Sequence, residues 1–308
     1  MKHLFIINPR AGKGAAIPDL LGQIRDPFSA EECEVIQTTY AGHAEDLSRQ
    51  AAQQGDPVRI YACGGDGTLN EVVNGAAGYD NAAITHVPIG TGNDFLKIFG
   101  DALPQFRQVE KLKNGPQTTF DVMDCNGRLG LDIVCAGVDA RIGSEVHHYS
   151  SLPFLKGKGA YIASLVVNVL FKGISRPMRV TINDEVWDQD TSILCICNGR
   201  HYGGGFMPIG DAMPDDGVLD VLLAPKVSLF TLARIIGDYS NGRYYKHPKL
   251  LHRHAAKELR FSSHRPLVAV VDGETMVNTS FLLRLSEKKV NFFYPEGACY
   301  PSQAPESP

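Results

Sequence analysis

Apolar residues in the first third of the chain come in short runs, each closed by small or polar residues and followed by a segment of helical spacing. Leu4 to Ile7 is the first run and stops at Asn8-Pro9. Ile17 to Arg25 then reads as a helix, Cys33 to Gln37 as a strand, and Glu45 to Gln54 as a helix ending at Gly55. Val58-Arg59-Ile60-Tyr61-Ala62 reads as a buried strand leading into Cys63-Gly64-Gly65-Asp66-Gly67-Thr68-Leu69-Asn70-Glu71. After that turn, Leu69, Val72 and Val73 fall on one face of a helix. Ala83 to Pro88 repeats the event and opens into Ile89-Gly90-Thr91-Gly92-Asn93-Asp94-Phe95. Strands alternating with helices predict parallel βα units, an α/β domain with a Rossmann-like parallel sheet. Ligands of such sheets bind beyond the carboxyl ends of the strands, so the loops at Asn8, Thr38, Gly64 and Gly90 gather along one edge.

From about Thr118 the pattern changes to short alternating runs separated by turn residues. They are Thr119–Asp124, Leu129–Ala136, Met178–Asn183, Ile193–Cys197, Val218–Leu223, Leu267–Val271 and Phe281–Leu285. This predicts a mainly antiparallel β-sandwich, with helical segments near Ala160–Phe171 and Leu229–Tyr239. The expected division is 1–125 for a nucleotide-binding domain, 126–298 for a β-rich acceptor domain and 299–308 for a flexible tail.

Composition narrows the class. With 308 residues, 44% hydrophobic and 21% charged, the chain is long enough for two ordinary globular domains. A net charge of −4 gives no basic surplus for a nucleic-acid partner. Seven cysteines without a C-x-x-C pair argue for a reducing cytosol, and Cys195 and Cys197 share a strand face as packing residues. The most apolar window, Ala160 to Phe171, is shorter than the roughly 18 residues a transmembrane helix needs. It reads as a core helix, or as a segment that meets a lipid surface.

The chemistry concentrates in the glycine-rich strand ends. Gly64, Gly65 and Gly67 let the backbone approach a ligand, and the helix start behind them offers free amides and positive dipole charge to phosphate. Asp66 repels a bare phosphate, which implies a metal ion between them. The alternative is a glycine-rich turn and no more. Asn8-Pro9-Arg10-Ala11-Gly12-Lys13-Gly14 is a second phosphate-suited strand end, but no Walker A loop, because Ile7 stands at the first glycine position and Gly14 follows Lys13. Asn93 and Asp94 serve as helix caps or as part of the cleft rim. Asp272-Gly273-Glu274 follows an apolar strand and reads as a turn with either solvated carboxylates or a proton acceptor. His247, His252 and His254 sit in a basic stretch with Arg243, Lys246, Lys249 and Arg253, read as a surface loop able to meet anionic headgroups.

Three of these stretches, in this order, resemble the diacylglycerol kinase catalytic domain of soluble bacterial lipid kinases: Asn8-Pro9-x-x-Gly12, Gly64 to Glu71, and Pro88-x-Gly90-Thr91-x-Asn93-Asp94-Phe95. The resemblance continues through Tyr202-Gly203-Gly204-Gly205, Ala212-x-x-x-Asp216-Gly217-x-Leu219 and Asp272-Gly273-Glu274. It implies ATP-dependent phosphorylation of a lipid alcohol, most simply diacylglycerol to phosphatidic acid, with Mg²⁺, at the inner face of a membrane and without a transmembrane segment. The nucleotide contacts it implies fall on Asn8, Pro9, Arg10, Ala11, Gly12, Thr38, Gly64, Gly65, Asp66, Gly67, Thr68, Leu69, Asn70, Glu71, Thr91 and Asn93. Thr38 is preferred to Thr39 because the family threonine lies four residues before the glycine of a G-x-A turn, here Gly42. The catalytic carboxylates are Glu274, as the favoured base, with Asp272 and Asp66. A Mg²⁺ site maps to Asp216 with the carbonyls of Met213 and Val218, although Gly210 replaces a frequent proline and Asp215 competes as ligand. Alternatives are a sphingoid lipid or NAD as acceptor, or a binding module without turnover; a homodimer is compatible with exposed sheet edges.

Overall fold

The computed structural model describes residues 1–25, 27–29, 31–137 and 174–300. The helix expected at Ala160–Phe171 and most of the expected tail lie outside the described residues. The N-terminal part runs β1 (Lys2–Ile7), α1 (Ile17–Arg25), β2 (Cys33–Gln37), α2 (His43–Gln53), β3 (Val58–Gly64), α3 (Asp66–Ala76) and β4 (Ala82–Pro88). A 3-10 stretch, Phe95–Arg107, and the short α4 (Val109–Lys113) follow. β2, β1, β3 and β4 are neighbours in that order and every pairing among them is parallel. Their apolar runs are unbroken because both faces are covered: Phe5, Ile6, Ile60, Tyr61 and Ile84 are all fully buried.

The remaining strands are β5 (Gln117–Cys125), β6 (Arg128–Gly130), β7 (Ile133–Gly137), β8 (Arg176–Ile182), β9 (Glu185–Cys197), β10 (Leu219–Pro225), β11 (His252–Ala256), β12 (Glu258–Val271) and β13 (Glu274–Phe293). Helix α5 (Leu229–Tyr239) lies between β10 and β11. Pairing here is antiparallel, and alternate residues serve two apolar clusters. Val134, Leu194, Ile196, Val221 and Leu223 enter one; Ile133, Cys195, Cys197 and Leu222 enter the other, under Leu232, Ile235 and Tyr239 of α5. Cys195 and Cys197 thus share a buried face, with their sulfurs 3.7 Å apart.

Strand β13, 20 residues long, joins the two regions. Its first half pairs with β12, and its end pairs with β5 and lies parallel to β4 through Asn291 and Phe292. The hydrogen-bonded sheet therefore runs on from one region into the other. Two expectations need correction. The single run Leu129–Ala136 is split into β6 and β7, because the amides of Leu131, Asp132 and Ile133 all turn to the Asp272 carboxylate. The expected basic surface loop is partly strand: His252 and His254 belong to β11, which pairs with β10. Its cations are largely compensated, Arg243 by Asp238 and Arg253 by Asp220 and Asp211.

Candidate functional site

The carboxyl ends of β1, β3 and β4 bring the predicted loops into contact. Asn8 Nδ2 donates to Thr68 Oγ1 at 3.1 Å, and Asn8 Oδ1 accepts from the Arg10 amide at 3.0 Å. The Asn8 carbonyl accepts from Ala11, closing the Pro9-Arg10 turn. Gly12 (φ +54) lies directly against the Ile89 carbonyl. Gly65 and Gly90 meet backbone to backbone, so closely that a Cβ on Gly90 would lie 2.6 Å from the Gly65 Cα. The amides of Gly65, Asp66 and Gly67 have no acceptor among the described residues. They form the start of α3, where anions are favoured by both the free donors and the helix dipole.

Asp66 links the start of α3 to the neighbouring loop. Its Oδ2 accepts from the Asn93 amide at 2.8 Å and its Oδ1 from the Asp94 amide at 2.6 Å. This clamps the Gly90–Asp94 loop, in which Asn93 takes φ +52, onto α3. Gly92 is required there, since a Cβ would lie 2.3 Å from Asp66 Oδ2. Burial, then the neighbouring Asp94 carboxylate, holds the Asp66 carboxyl above the usual range. Asp94 in turn pairs with Lys97 and accepts from the Gly204 amide at 2.9 Å, tying this loop to the Tyr202–Gly205 segment of the second region.

Five further predicted positions are placed as follows. Leu69 is part of the core. Glu71 accepts from the amides of Gly42 and Ala44, so it caps the start of α2. Thr38 is anchored by its own amide to the Ile7 carbonyl at 2.8 Å, and Thr91 is exposed on its loop. Asn70 is 1% exposed and reaches across the interface, donating to the Leu129 carbonyl and to Asp272 Oδ2.

The two carboxylates of the Asp272-Gly273-Glu274 turn differ sharply. Asp272 (φ +46) and Gly273 (φ +94) form the two-residue, positive-φ turn that an Asp-Gly pair favours between β12 and β13. Asp272 accepts from the amides of Leu131, Asp132 and Ile133 and from Asn70. Burial raises its pKa although these donors oppose the rise. Glu274 is exposed and makes no hydrogen bond among the described residues. A Cβ on Gly67 would lie 3.5 Å from Glu274 Oε1, which places that carboxylate beside the unpaired amides of α3.

The Met213–Val218 loop makes no hydrogen bond to these groups among the described residues. Asp216 Oδ1 accepts from the Val218 amide at 2.9 Å, and Asp215 accepts from Tyr300. Burial, and then Asp220, Asp215 and Asp121, raise the Asp216 pKa against the pull of the Val218 amide. The carbonyls of Met213 and Val218 accept nothing among the described residues. One free carboxylate oxygen and two free carbonyls suit a hard divalent cation. No cluster of three or more His, Cys, Asp or Glu is placed to hold a metal among the described residues.

Two buried groups escaped the sequence reading. Asp132 is 6% exposed; burial and the adjacent Asp272 push its carboxyl well above the usual range, and its Oδ2 has no partner among the described residues. His86 is fully buried beneath Gly64, donating from Nε2 to that carbonyl at 3.1 Å. The available signal was a lone titratable residue inside a largely apolar run, in both cases.

Residues 2–125 match the diacylglycerol kinase catalytic domain, and residues 132–293 match the YegS C-terminal NAD kinase beta sandwich-like domain. A diacylglycerol kinase of Staphylococcus saprophyticus is 29% identical over 274 residues, 87% of each chain. One from Staphylococcus carnosus is 28% identical over 273 residues, again 87% of each. The crystal structure of a diacylglycerol kinase from Bacillus anthracis superposes with a TM-score of 0.68 over 97% of this chain and 98% of that one, at 19% identity, and shares the fold. The chain thus has two regions, a catalytic-domain match and a β-sandwich-like match, and no described helix is long and apolar enough to cross a membrane. With these matches over residues 2–125 and 132–293, the chain belongs to the diacylglycerol kinase family of lipid kinases, phosphotransferases that act on an alcohol group.

Proposed function

We propose that this lipid kinase transfers the γ-phosphoryl group of ATP to the free hydroxyl of diacylglycerol, giving phosphatidic acid and ADP at the cytoplasmic face of a membrane. The observation that carries the reading is the position of Glu274, a carboxylate unpaired among the described residues, beside Gly67, where amides suited to phosphate are likewise unpaired among them. Residues 1–125 hold the nucleotide and 126–298 the lipid, with 299–308 as a tail. The amides of Gly65, Asp66 and Gly67 orient the phosphates, helped by the Asn8–Gly12 turn, Thr38, Thr91 and Asn93. Positioning and charge compensation dominate phosphoryl transfer, so a wall of fixed backbone donors suits it. Glu274 accepts the hydroxyl proton as the new O–P bond forms and the bond to ADP breaks. Asp272 braces the turn that carries Glu274, and Asp66 braces the opposite loop. Bound Mg²⁺ supplies positive charge to the phosphates or to the acidic loop around Asp216, whose free oxygen donors fit it. Asp216, Met213 and Val218 would hold the ion there.

The beta sandwich-like match, described after NAD kinase, supports NAD as the competing acceptor. Mixed micelles containing diacylglycerol or a sphingoid base, and NAD in solution, each incubated with ATP and Mg²⁺, separate these readings by product mass. Phosphatidic acid as the main product is expected; phosphorylated NAD with no lipid product overturns the lipid assignment.

A further inference from the structure

The Gly64 carbonyl accepts three hydrogen bonds: from His86 Nε2 at 3.1 Å, from the Ile89 amide at 3.0 Å and from the Gly90 amide at 2.9 Å. All three donors come from β4 or the loop that follows it. They hold the end of β3 and the Gly90 loop together from beneath. The partner is a carbonyl, so the His86 ring must donate, and Nε2 carries the proton. Nδ1 is buried with no partner among the described residues, and a second proton there would be a buried unpaired charge. The ring is therefore held as the single neutral Nε2–H tautomer.

The peptide between Gly64 and Gly65 is trans. In a trans peptide the C=O and the following N–H point in opposite directions. Pinning the Gly64 oxygen toward His86, on the β4 side, thus turns the Gly65 N–H the other way, away from β4. The Gly65 amide is one of the three with no acceptor among the described residues. Glycine at both positions leaves this peptide free to rotate, because neither residue restricts it sterically. The two loop amides alone move with the loop; the imidazole is fixed in the core, where His86 is fully buried.

We propose that His86 is a positioning residue for nucleotide binding, locking the Gly64–Gly65 peptide so that the Gly65 amide faces the ATP phosphates. The proposal rests on the kinase reading but goes to a residue outside the glycine loops. It separates donor-side geometry from acceptor chemistry. His86→Leu removes the donor and keeps an apolar filling. His86→Gln keeps an amide donor of comparable reach, and His86→Asn draws the donor back by one bond.

The test is equilibrium binding of ATP in the presence of Mg²⁺, with the melting temperature and the KM for diacylglycerol measured on the same samples. His86→Leu is expected to weaken ATP binding about tenfold, roughly 1.4 kcal/mol. His86→Gln should recover to within about threefold of the original, with His86→Asn between them. The KM for diacylglycerol should not move. A purely structural role would lower the melting temperature of all three without splitting Gln from Leu. Folded His86→Leu that binds ATP as tightly as the original protein overturns the proposal. If His86→Leu does not fold, equal ATP affinity in the Gln and Asn proteins overturns it. Original protein that binds ATP but phosphorylates no lipid refutes the acceptor assignment alone, whereas original protein that binds no ATP removes both.

Discussion

The two regions build their sides of the cleft from different material. On the parallel sheet the exposed groups are backbone amides, at Gly65, Asp66 and Gly67, and the nearby carboxylate serves to hold a loop. On the antiparallel side the exposed group is a side chain, Glu274, and the nearby carboxylate again serves to hold a loop. Asp66 and Asp272 are counterparts: each is partly buried, each has a raised pKa, and in each both oxygens accept from main-chain amides. On the proposed function, the fixed donor wall would face the polyanion and Glu274 the alcohol. Conserving charge is a lesser part of what these aspartates do than fixing the loops beside them.

The largest test of that contrast is Asp272→Ala. Three amides and Asn70 lose their acceptor in the interior, and stability should fall by about 3–5 kcal/mol. Glu274→Gln should leave the denaturant midpoint unchanged, because the side chain is exposed. Equal losses in the two proteins would erase the distinction between brace and base. Next comes Asp66→Ala, which frees the Asn93 and Asp94 amides; a loss of about 1–3 kcal/mol and a raised KM for ATP are expected, with the KM for lipid unchanged.

Asp132→Asn probes the same interior through pH. Burial and Asp272, with Asp94 and Asp66 beyond it, raise the native pKa of Asp132, while the His201 amide opposes them. The native state therefore holds a proton that the unfolded chain releases. The stability from this group is complete below the unfolded pKa and is lost as pH rises through the native one. Asp132→Asn should melt higher than the original protein at pH 8, by a few degrees for about 1 kcal/mol, and the gap should close toward pH 4. A gap independent of pH would show that Asp132 titrates alike in the folded and unfolded chain, contradicting the raised native pKa. The smallest effect is expected of Gly67→Ala: the new methyl meets Glu274 Oε1 at ordinary contact distance, 3.5 Å, and activity should fall less than about threefold.

Legibility in the sequence followed the same divide. Backbone donors need glycine, and glycines cluster in contiguous motifs, so Gly12, Gly64 to Gly67 and Gly90 to Gly92 could be placed on one edge from the strand–turn–helix rhythm. The seat of Glu274 beside Gly67 depends on β13 crossing between the regions, and no local pattern encodes that crossing. Glu71 shows the limit within a motif: its position inside the glycine element suggested a ligand contact, yet its carboxylate caps α2. His86 and Asp132 were single titratable residues in largely apolar runs, visible but without meaning until the loops they support were in place.

The most direct measurement is single-turnover phosphoryl transfer from ATP to diacylglycerol in mixed micelles with Mg²⁺, comparing the original protein with Glu274→Gln at equal ATP occupancy. A base at this position contributes about 10²–10⁴ in rate. The expected result is phosphatidic acid from the original protein and a rate lower by that factor in Glu274→Gln, with ATP affinity unchanged. Equal transfer rates in the two proteins would contradict the assignment of Glu274 and, with it, the meeting of donor wall and base at Gly67.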